Sequence, residues 1–453
     1  GCEGTMTPSP FVDRLLHREG VVEPTVTAQL WSGGGVDGRP RTAYELAVLT
    51  APQAGTENVS TMLEEAVLEG RADFPAFPQS VPPDELAAAR GDVLRAIERP
   101  AKAGGPGPWH GFSGAVSADK DEALWVTHAE SIGTCPWRAF VQRRLGIDPM
   151  PDPLLGLPGI DGPLVGQVVH GVLEAIVVEA LEKGGELAEV MARSGARVRW
   201  PSIRGFRELV DGVAERVAAR EGLGPVGMAP LLSARAREFL AVERDLEWGT
   251  GSLASVRGCE VEGWASVTGV AGKLMFRADR VDGEDADAVL IDYKAAKPAV
   301  EASTEPYRSD NIRKRIARGR MLQAAAYSRA AAAGDATGRS LFLKPKDDCK
   351  DELRELEIAG GDHDVIEVFE AAIRTIAEAR AQGIAFPRVE EADGTTAEHC
   401  GYCAVAEACR RDDSSFRGDL VGWFRGHEGS GDAAVDTARN LWWLGVERPE
   451  GER

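Results

Sequence analysis

Three charged residues near the middle of the chain have the types and spacing of a metal-dependent hydrolytic site. Asp279 lies in FRADRVD, and Asp292 and Lys294 lie two residues apart in LIDYK. Residues two apart in a strand point to the same face, so Asp292 and Lys294 project together. If adjacent strands carry both segments, Asp279 joins them, and two carboxylates suit Mg²⁺ or Mn²⁺. An ammonium beside them would orient a water and offset phosphoryl charge.

The D-x-K pattern is short and common, and alone it also fits an exposed ion pair that lies on one face of a strand. The apolar residues Val289, Leu290 and Ile291 precede it and indicate a buried strand. A charged pair at the end of a buried strand lies at the rim of a sheet, where α/β sites are built. This position favours a functional site.

The elements around these residues predict an α/β core with mixed strand pairing. Three consecutive strands are indicated by VRGCEVEGWASV, KLMFRADRVD and DAVLIDYKAA, and RSLFLKP indicates a further one. Apolar residues at helical spacing predict helices over 164–183, 205–221, 229–245, about 308–333 and 363–382. Before residue 115 the pattern indicates helices at 61–70 and 84–99, and FVDRLLHREG near the start also has a helical pattern.

Composition narrows the class of protein. The 453 residues carry a net charge of −20, which argues mildly against a nucleic-acid partner, although local patches decide binding. No apolar run is long enough for a membrane span, and the N-terminus has no secretory signal. Seven cysteines are too few for a disulfide scaffold, which predicts reduced thiols and a cytoplasmic location. The start without Met suggests a fragment of a longer protein.

The motifs in this order resemble the PD-(D/E)XK nuclease superfamily, RecB-like branch. Asp279 and Asp292 fit its active-site signature, Gly166 to His170 fits its G-x-x-x-H, and Gln323 to Tyr327 fits its Q-x-x-x-Y. Taken alone, His170 is more typical of a half-buried residue on a helix. The helix that carries Gln323 and Tyr327, taken alone, is more typical of one with a polar stripe that faces solvent. The resemblance implies a set of site residues. Its metal ligands are His170, Asp279, Asp292 and the carbonyl of Tyr293, and its catalytic residues are Asp279, Asp292, Lys294, Gln323 and Tyr327.

Basic residues between 311 and 320 are the candidate DNA contacts. They are Arg313, Lys314, Arg315, Arg318 and Arg320. On charge alone they fit a solvated helix face, but within the resemblance they would follow the phosphate backbone. On a continuous helix, Arg320 would share one face with Gln323 and Tyr327.

Three clustered cysteines, Cys400, Cys403 and Cys409, supply three of the four soft ligands that zinc or an iron–sulfur cluster needs. The fourth is Cys135, far upstream, or the neighbouring His399, which would complete a zinc knuckle. The C-P-W at Cys135 and the C-x₂-C-x₅-C triad are similar to the iron–sulfur-stapled RecB-like nucleases of the AddAB type. That resemblance implies a [4Fe–4S] cluster on Cys135, Cys400, Cys403 and Cys409 that ties the two ends of the domain together.

The resemblance implies a restriction-endonuclease-like α/β core, with a mixed central sheet flanked by helices, a helical insertion after His170 and a C-terminal Fe–S clasp. The expected domains are a poorly specified region at 1–115, the nuclease at 116–412 and a tail at 413–453. The expected activity is metal-dependent hydrolysis of DNA, single-stranded or at duplex ends, in DNA repair or recombination. A helicase subunit, or an N-terminal helicase-like region missing here, would be the partner. Two alternatives are a non-catalytic Fe–S DNA-binding scaffold partnering a helicase and a zinc-stabilised adaptor.

Overall fold

The structure is a computed structural model, and the residues that it describes fall into two units of the chain, 1–99 and 100–453. The described residues are 41–42, 72–73, 110–112, 123–147, 162–181, 183–223, 227–249, 253–283, 287–298, 300, 304–334, 336–345, 350–391, 394–426 and 433–446. In the first unit, β1 (Arg41–Thr42) and β2 (Ala72–Asp73) pair in parallel. The helices predicted at 61–70 and 84–99 and the helical pattern of FVDRLLHREG lie outside the described residues.

A seven-stranded mixed sheet forms the centre of the second unit. Its strands are β3 (Leu124–Trp125), β4 (Ala196–Val198), β5 (Ala254–Ala265), β6 (Leu274–Asp282), β7 (Ala288–Lys294), β8 (Ala336–Phe342) and β9 (Glu355–Ala359). They lie in the order β4-β5-β6-β7-β8-β9, with β3 beside β6. The pairs β5–β6, β6–β7 and β8–β9 are antiparallel, whereas β7 and β8 run in parallel. The predicted mixed central sheet is confirmed.

One edge of β6 changes its partner along the strand. At its beginning β6 pairs with β3, through Leu274 and Met275. At its end it pairs with β7, and the last pair toward the middle of β6 is Arg280 with Ile291. The two strands therefore separate at Asp279, and the backbone groups at this fork must find partners other than each other.

Helices cover both faces of the sheet, as predicted. They are α1 (Val126–Thr134), α2 (Pro136–Ala139), α3 (Gly162–Val178), α4 (Leu187–Met191), α5 (Ile203–Arg220), α6 (Ala229–Glu247), α7 (Tyr307–Ala317), α8 (Leu322–Ser328), α9 (His363–Ala381), α10 (Ser414–Gly426) and α11 (Ala433–Trp442). One apolar cluster joins α3, α5 and α6 to one face, and a second joins α1, α8, α9, α10 and α11 to the other. No described helix is long and apolar enough to cross a membrane.

The helix predicted over 308–333 is wrong, because two helices occupy this range. The helix α7 ends at Ala317, and Gly319 and Met321 then adopt positive φ angles of 72° and 59° before α8 begins. The pattern of apolar residues continues through this break, so it gave no sign of it. Arg320 therefore lies in the connection and not on a helix face with Gln323 and Tyr327, which corrects that expectation.

Within the range expected to be a tail, 413–453, the described residues form α10 and α11, whose apolar residues join the main core. Phe424 of α10 is fully buried, and its ring stacks on Trp442 of α11 with centroids 4.4 Å apart. Phe416 and Leu420 precede it at helical spacing and are also buried. This apolar stripe packs with α9 and the sheet.

Candidate active site

Asp279 occupies the fork between β6 and β7. Its Oδ2 accepts a hydrogen bond of 2.7 Å from the backbone N–H of Tyr293, and its Oδ1 lies 3.4 Å from Nδ1 of His170 on α3. The carboxylate thus satisfies a strand N–H that β6 no longer pairs. Its side chain is 18% exposed, so the fork is open to solvent.

Tyr293 presents its backbone to this opening and its phenol to the protein interior. The N–H and C=O of one strand residue point to the same edge, so the carbonyl of Tyr293 also faces the fork. The phenol accepts a hydrogen bond of 2.7 Å from the buried Arg280. The metal-ligand role expected of the Tyr293 carbonyl stays a prediction.

Asp292, Lys294 and Gln323 form one hydrogen-bonded group on the other side of the fork. The ammonium of Lys294 lies 2.9 Å from Oδ2 of Asp292 and also donates to Oε1 of Gln323. Nε2 of Gln323, near the start of α8, donates to Oδ1 of Asp292 at 3.0 Å. Ser340 of β8 approaches Oδ2 of Asp292 at 3.4 Å. The pair two residues apart in β7 is therefore joined to a helix on one side and a strand on the other.

Burial and charge act on the ionisable groups of this site. Burial lowers the pKa of His170, but the hydrogen bond to Asp279 and the charges of Asp279 and Asp292 raise it to about 9. Burial raises the pKa of Asp292, with Asp279 adding to this shift and Lys294 opposing it. Burial lowers the pKa of Lys294, yet the carboxylates of Asp292 and Glu130 outweigh it and leave the value raised. The lysine is an ammonium in this state.

Tyr327 contacts the backbone of β6 close to Asp279. The residue is fully buried on α8, and its hydroxyl donates to the carbonyl of Arg277 at 2.9 Å. Arg277 lies two residues before Asp279, and the ring of Tyr327 packs on Phe276 with centroids 5.0 Å apart. The hydroxyl thus contacts the backbone of β6 beside the fork.

The basic residues predicted to contact DNA divide into two groups. Arg313, Lys314 and Arg315 are exposed on α7, where Asp310 pairs with Arg313 at 2.9 Å and with Lys314 at 2.6 Å. Arg318 is partly buried in the connection to α8, and Arg320 there pairs with Glu391 at 2.9 Å. Carboxylates pair with residues of both groups, and the groups differ in exposure; the DNA contacts expected of them stay a prediction.

The charges of the four predicted cluster ligands act on one another, although no three of their side chains in the described ranges stand close enough together to hold a metal ion. Cys135 follows α1, and Cys400 lies in a 3₁₀ turn at Glu398–Tyr402. Burial raises the pKa of Cys135 and of Cys400, and it raises the pKa of Cys409 to about 11. The charge of Cys403 adds to each of these three shifts, and the charges of other cysteines in the set add to those of Cys400 and Cys409. The sulfur of Cys400 also lies 3.8 Å from the carbonyl oxygen of Arg388.

Several buried nitrogens near these cysteines have no hydrogen-bond partner within the described residues. They include Nε of Arg388, Nε1 of Trp137 and both ring nitrogens of His399. Burial lowers the pKa of Arg388 to about 10, although the charge of Cys135 opposes the shift. Burial and the charge of Arg320 lower the pKa of His399 to about 4, so its ring is neutral. Sulfur acceptors of a bound cluster would suit the N–H donors of this set, of which the neutral His399 ring supplies one.

Two residues near the site were missed from the sequence. Glu130 of α1 accepts a hydrogen bond of 2.6 Å from the N–H of Leu322, and its charge interacts with those of Lys294 and Asp292. Arg280 is fully buried and contacts Glu243, Asp282 and Tyr293. The sequence did offer one sign of Glu130, because its carboxylate lies one helical turn after Val126, which is buried.

The donor set has the chemistry of a hard divalent metal site. Two carboxylates and a carbonyl surround the fork, and oxygen donors suit Mg²⁺ or Mn²⁺. The His170 imidazole joins this donor set once a metal displaces its proton. Across the part of the chain that the structure describes, no three His, Cys, Asp or Glu side chains stand close enough together to hold a metal ion. At the fork, the oxygens of Asp292 are instead engaged by Lys294, Gln323 and Ser340.

Comparisons with known proteins give one family. The family model of the PD-(D/E)XK nuclease superfamily matches residues 124–410, which contain every predicted site residue. Among curated proteins, no sequence matches. Among solved structures, the crystal structure of a protein named SSO0001 is similar at 15% identity, over 56% of this chain and 96% of that one, with a TM-score of 0.21.

Proposed function

Because the chain belongs to the PD-(D/E)XK nuclease superfamily, we propose that it is a metal-dependent DNA nuclease whose active site is the fork between β6 and β7. Members of this superfamily are generally nucleases. The observation that carries the proposal is the convergence of Asp279, His170 and the Tyr293 backbone at the fork, beside the pair Asp292–Lys294.

Each residue of the fork has a task in phosphodiester hydrolysis. His170, Asp279, Asp292 and the carbonyl of Tyr293 would hold the metal, which polarises the phosphate and lowers the pKa of a bound water. The ammonium of Lys294 orients the attacking water and offsets charge on the phosphoryl group. Gln323 holds that ammonium beside Asp292, because its amide contacts both groups.

The four cysteines support an iron–sulfur clasp as part of the same proposal. Cys135, which precedes every strand of the sheet except β3, and Cys400, Cys403 and Cys409, which follow the last strand, act on one another electrostatically although 264 residues separate Cys135 from Cys400. A [4Fe–4S] cluster takes four thiolates, and the buried Nε of Arg388, which has no partner among the described residues, would donate to it. The resemblance to AddAB-type enzymes extends the proposal to a helicase partner and a role in DNA repair or recombination.

A cleavage assay tests the proposal. The protein is purified anaerobically and incubated with labelled single-stranded and duplex DNA, with Mg²⁺, with Mn²⁺ or with a chelator. We expect cleavage only with metal, and a loss of at least about 100-fold in Lys294→Ala and Asp292→Asn, because charge stabilisation in the transition state is removed.

A binding measurement on the same variants separates catalysis from folding. DNA affinity should stay within about twofold of wild type, since neither residue belongs to the exposed group on α7. Metal-independent DNA binding without cleavage by the wild type would instead support the non-catalytic scaffold, and a protein that contains zinc and binds no DNA would support the adaptor.

A further inference from the structure

Glu130 reaches from α1 to the start of α8, which carries a residue of the proposed active site. Its carboxylate accepts the 2.6 Å hydrogen bond from the N–H of Leu322, and the N–H of Gln323 also stabilises its charge. The first N–H groups of a helix have no partner within the helix. One carboxylate from a different helix therefore interacts with the first two N–H groups of α8.

The residue held in this way contacts both members of the catalytic pair. Gln323 donates to Asp292 and accepts from Lys294 through one side-chain amide. The direction of that amide depends on where α8 begins, and α8 follows a left-handed residue, Met321. The backbone of Met321 thus adopts a conformation that is uncommon for a residue other than glycine, and contacts from other parts of the chain must stabilise it.

A second contact between α1 and the same connection lies one turn further along α1. Gly133 packs against the backbone of Gly319 so closely that a Cβ on Gly133 would come within 2.6 Å of the Gly319 carbonyl oxygen. The helix α1 therefore contacts the connection at Gly319 and the first residue of α8 at Leu322. Cys135 follows directly after α1, so the proposed clasp and the start of α8 share one helix.

We propose that Glu130 is a positioning residue of the nuclease, and that it sets the place of Gln323 and through it the alignment of Lys294 with Asp292. This inference rests on the proposed function. Glu130 touches neither DNA nor metal in this role. Its carboxylate also adds negative charge beside the Lys294 ammonium, which favours the charged form of that lysine.

The test compares Glu130→Ala and Glu130→Gln with the wild type, and uses Ser131→Ala as the matched control. Ser131 is the next residue of α1, and its hydroxyl donates to the carbonyl of Thr127 within the same helix. Glutamine keeps an acceptor oxygen, so Glu130→Gln should fold and retain more activity than Glu130→Ala. Cleavage is measured as kcat and KM at saturating Mn²⁺, and hydrogen exchange is followed in the peptide that spans 321–328.

We expect Glu130→Ala to lower kcat by about 10- to 100-fold, because a small misplacement of a catalytic group is costly. KM for DNA should change by less than about twofold, since the binding surface is untouched. The amides of Leu322 and Gln323 should exchange faster, while those of α9 keep their rates. Glu130→Gln should recover part of kcat.

Two outcomes overturn the inference in distinguishable ways. A wild type without metal-dependent cleavage contradicts the proposed function and removes the basis of this role. An active wild type whose Glu130→Ala variant matches Ser131→Ala in kcat contradicts the positioning role alone. Unchanged exchange in the 321–328 peptide likewise contradicts it, because the hydrogen bond that carries the inference would then be unimportant.

Discussion

Asp279 and Tyr293 are joined by a hydrogen bond of 2.7 Å from a backbone N–H to a carboxylate, at the point where β6 and β7 separate. Two neighbouring strands would ordinarily pair these backbone groups with each other. Here a side chain takes that place and keeps the fork open, with His170 on one side and the Lys294–Asp292 pair on the other. The separation of β6 and β7 thus forms a recess at the edge of their pairing, in which a hydrolytic site can lie.

The exposed basic residues on α7 should set the salt dependence of DNA binding. Replacing Arg313, Lys314 and Arg315 by Ala should flatten the slope of log affinity against log salt by about 0.7 for each phosphate that is no longer neutralised. Fluorescence anisotropy with single-stranded DNA measures the slope. Arg204→Ala, which removes a side chain 90% exposed on α5, is the control and should leave it unchanged. Equal slopes in the wild type, the triple variant and the control would contradict a phosphate-binding role for α7.

The sequence alone predicted the pairing of Asp292 with Lys294, because strand alternation places residues two apart on one face. His170 entered only through the family resemblance, since a single histidine on an apolar helix has no distinctive pattern. The break between α7 and α8 was missed, although Gly319 is a residue type that commonly ends a helix. It depends on a backbone contact of Gly319 with Gly133, which is distant in the sequence, and the alanine-rich segment has the pattern of one helix.

The close approach of Gly133 to Gly319 makes a prediction about stability. Gly133→Ala should lower the free energy of unfolding by about 1–3 kcal/mol, because the new methyl group overlaps backbone that cannot easily move aside. Gly418→Ala is the control, since that helical glycine is exposed with no atom near its Cβ, and it should be neutral or add about 0.4–1 kcal/mol. Denaturant unfolding measures both, and equal stabilities would contradict the packing described.

The iron–sulfur clasp predicts metal content. Anaerobically purified wild type should contain about four iron atoms per chain, and Cys400→Ser should lose them and unfold at a lower temperature. Cys259→Ser, which changes a buried cysteine of β5, should keep its iron. Elemental analysis with an absorbance spectrum decides this, and zinc in place of iron would contradict the cluster.

The buried acids around Arg280 predict a pH dependence of stability. Burial raises the pKa of Glu243 to about 8 from its ordinary value of 4.5, with Arg280 opposing the shift and Glu247 adding to it. Between these two values the folded protein holds a proton that the unfolded chain releases. Stability should therefore fall as pH rises from about 4.5 to about 8. Glu243→Gln should flatten this part of a plot of melting temperature against pH, and identical slopes would contradict the assignment.

The most direct test of the nuclease site is single-turnover cleavage of labelled single-stranded DNA by Asp279→Asn beside the wild type, with Mn²⁺ and with a chelator. Asparagine keeps an oxygen for the N–H of Tyr293, so the fork should persist while the charge that favours a metal is lost. We predict metal-dependent cleavage by the wild type and at least about 100-fold slower cleavage by the variant, at unchanged DNA affinity. Equal rates in the two proteins would contradict the assignment of the fork as the active site.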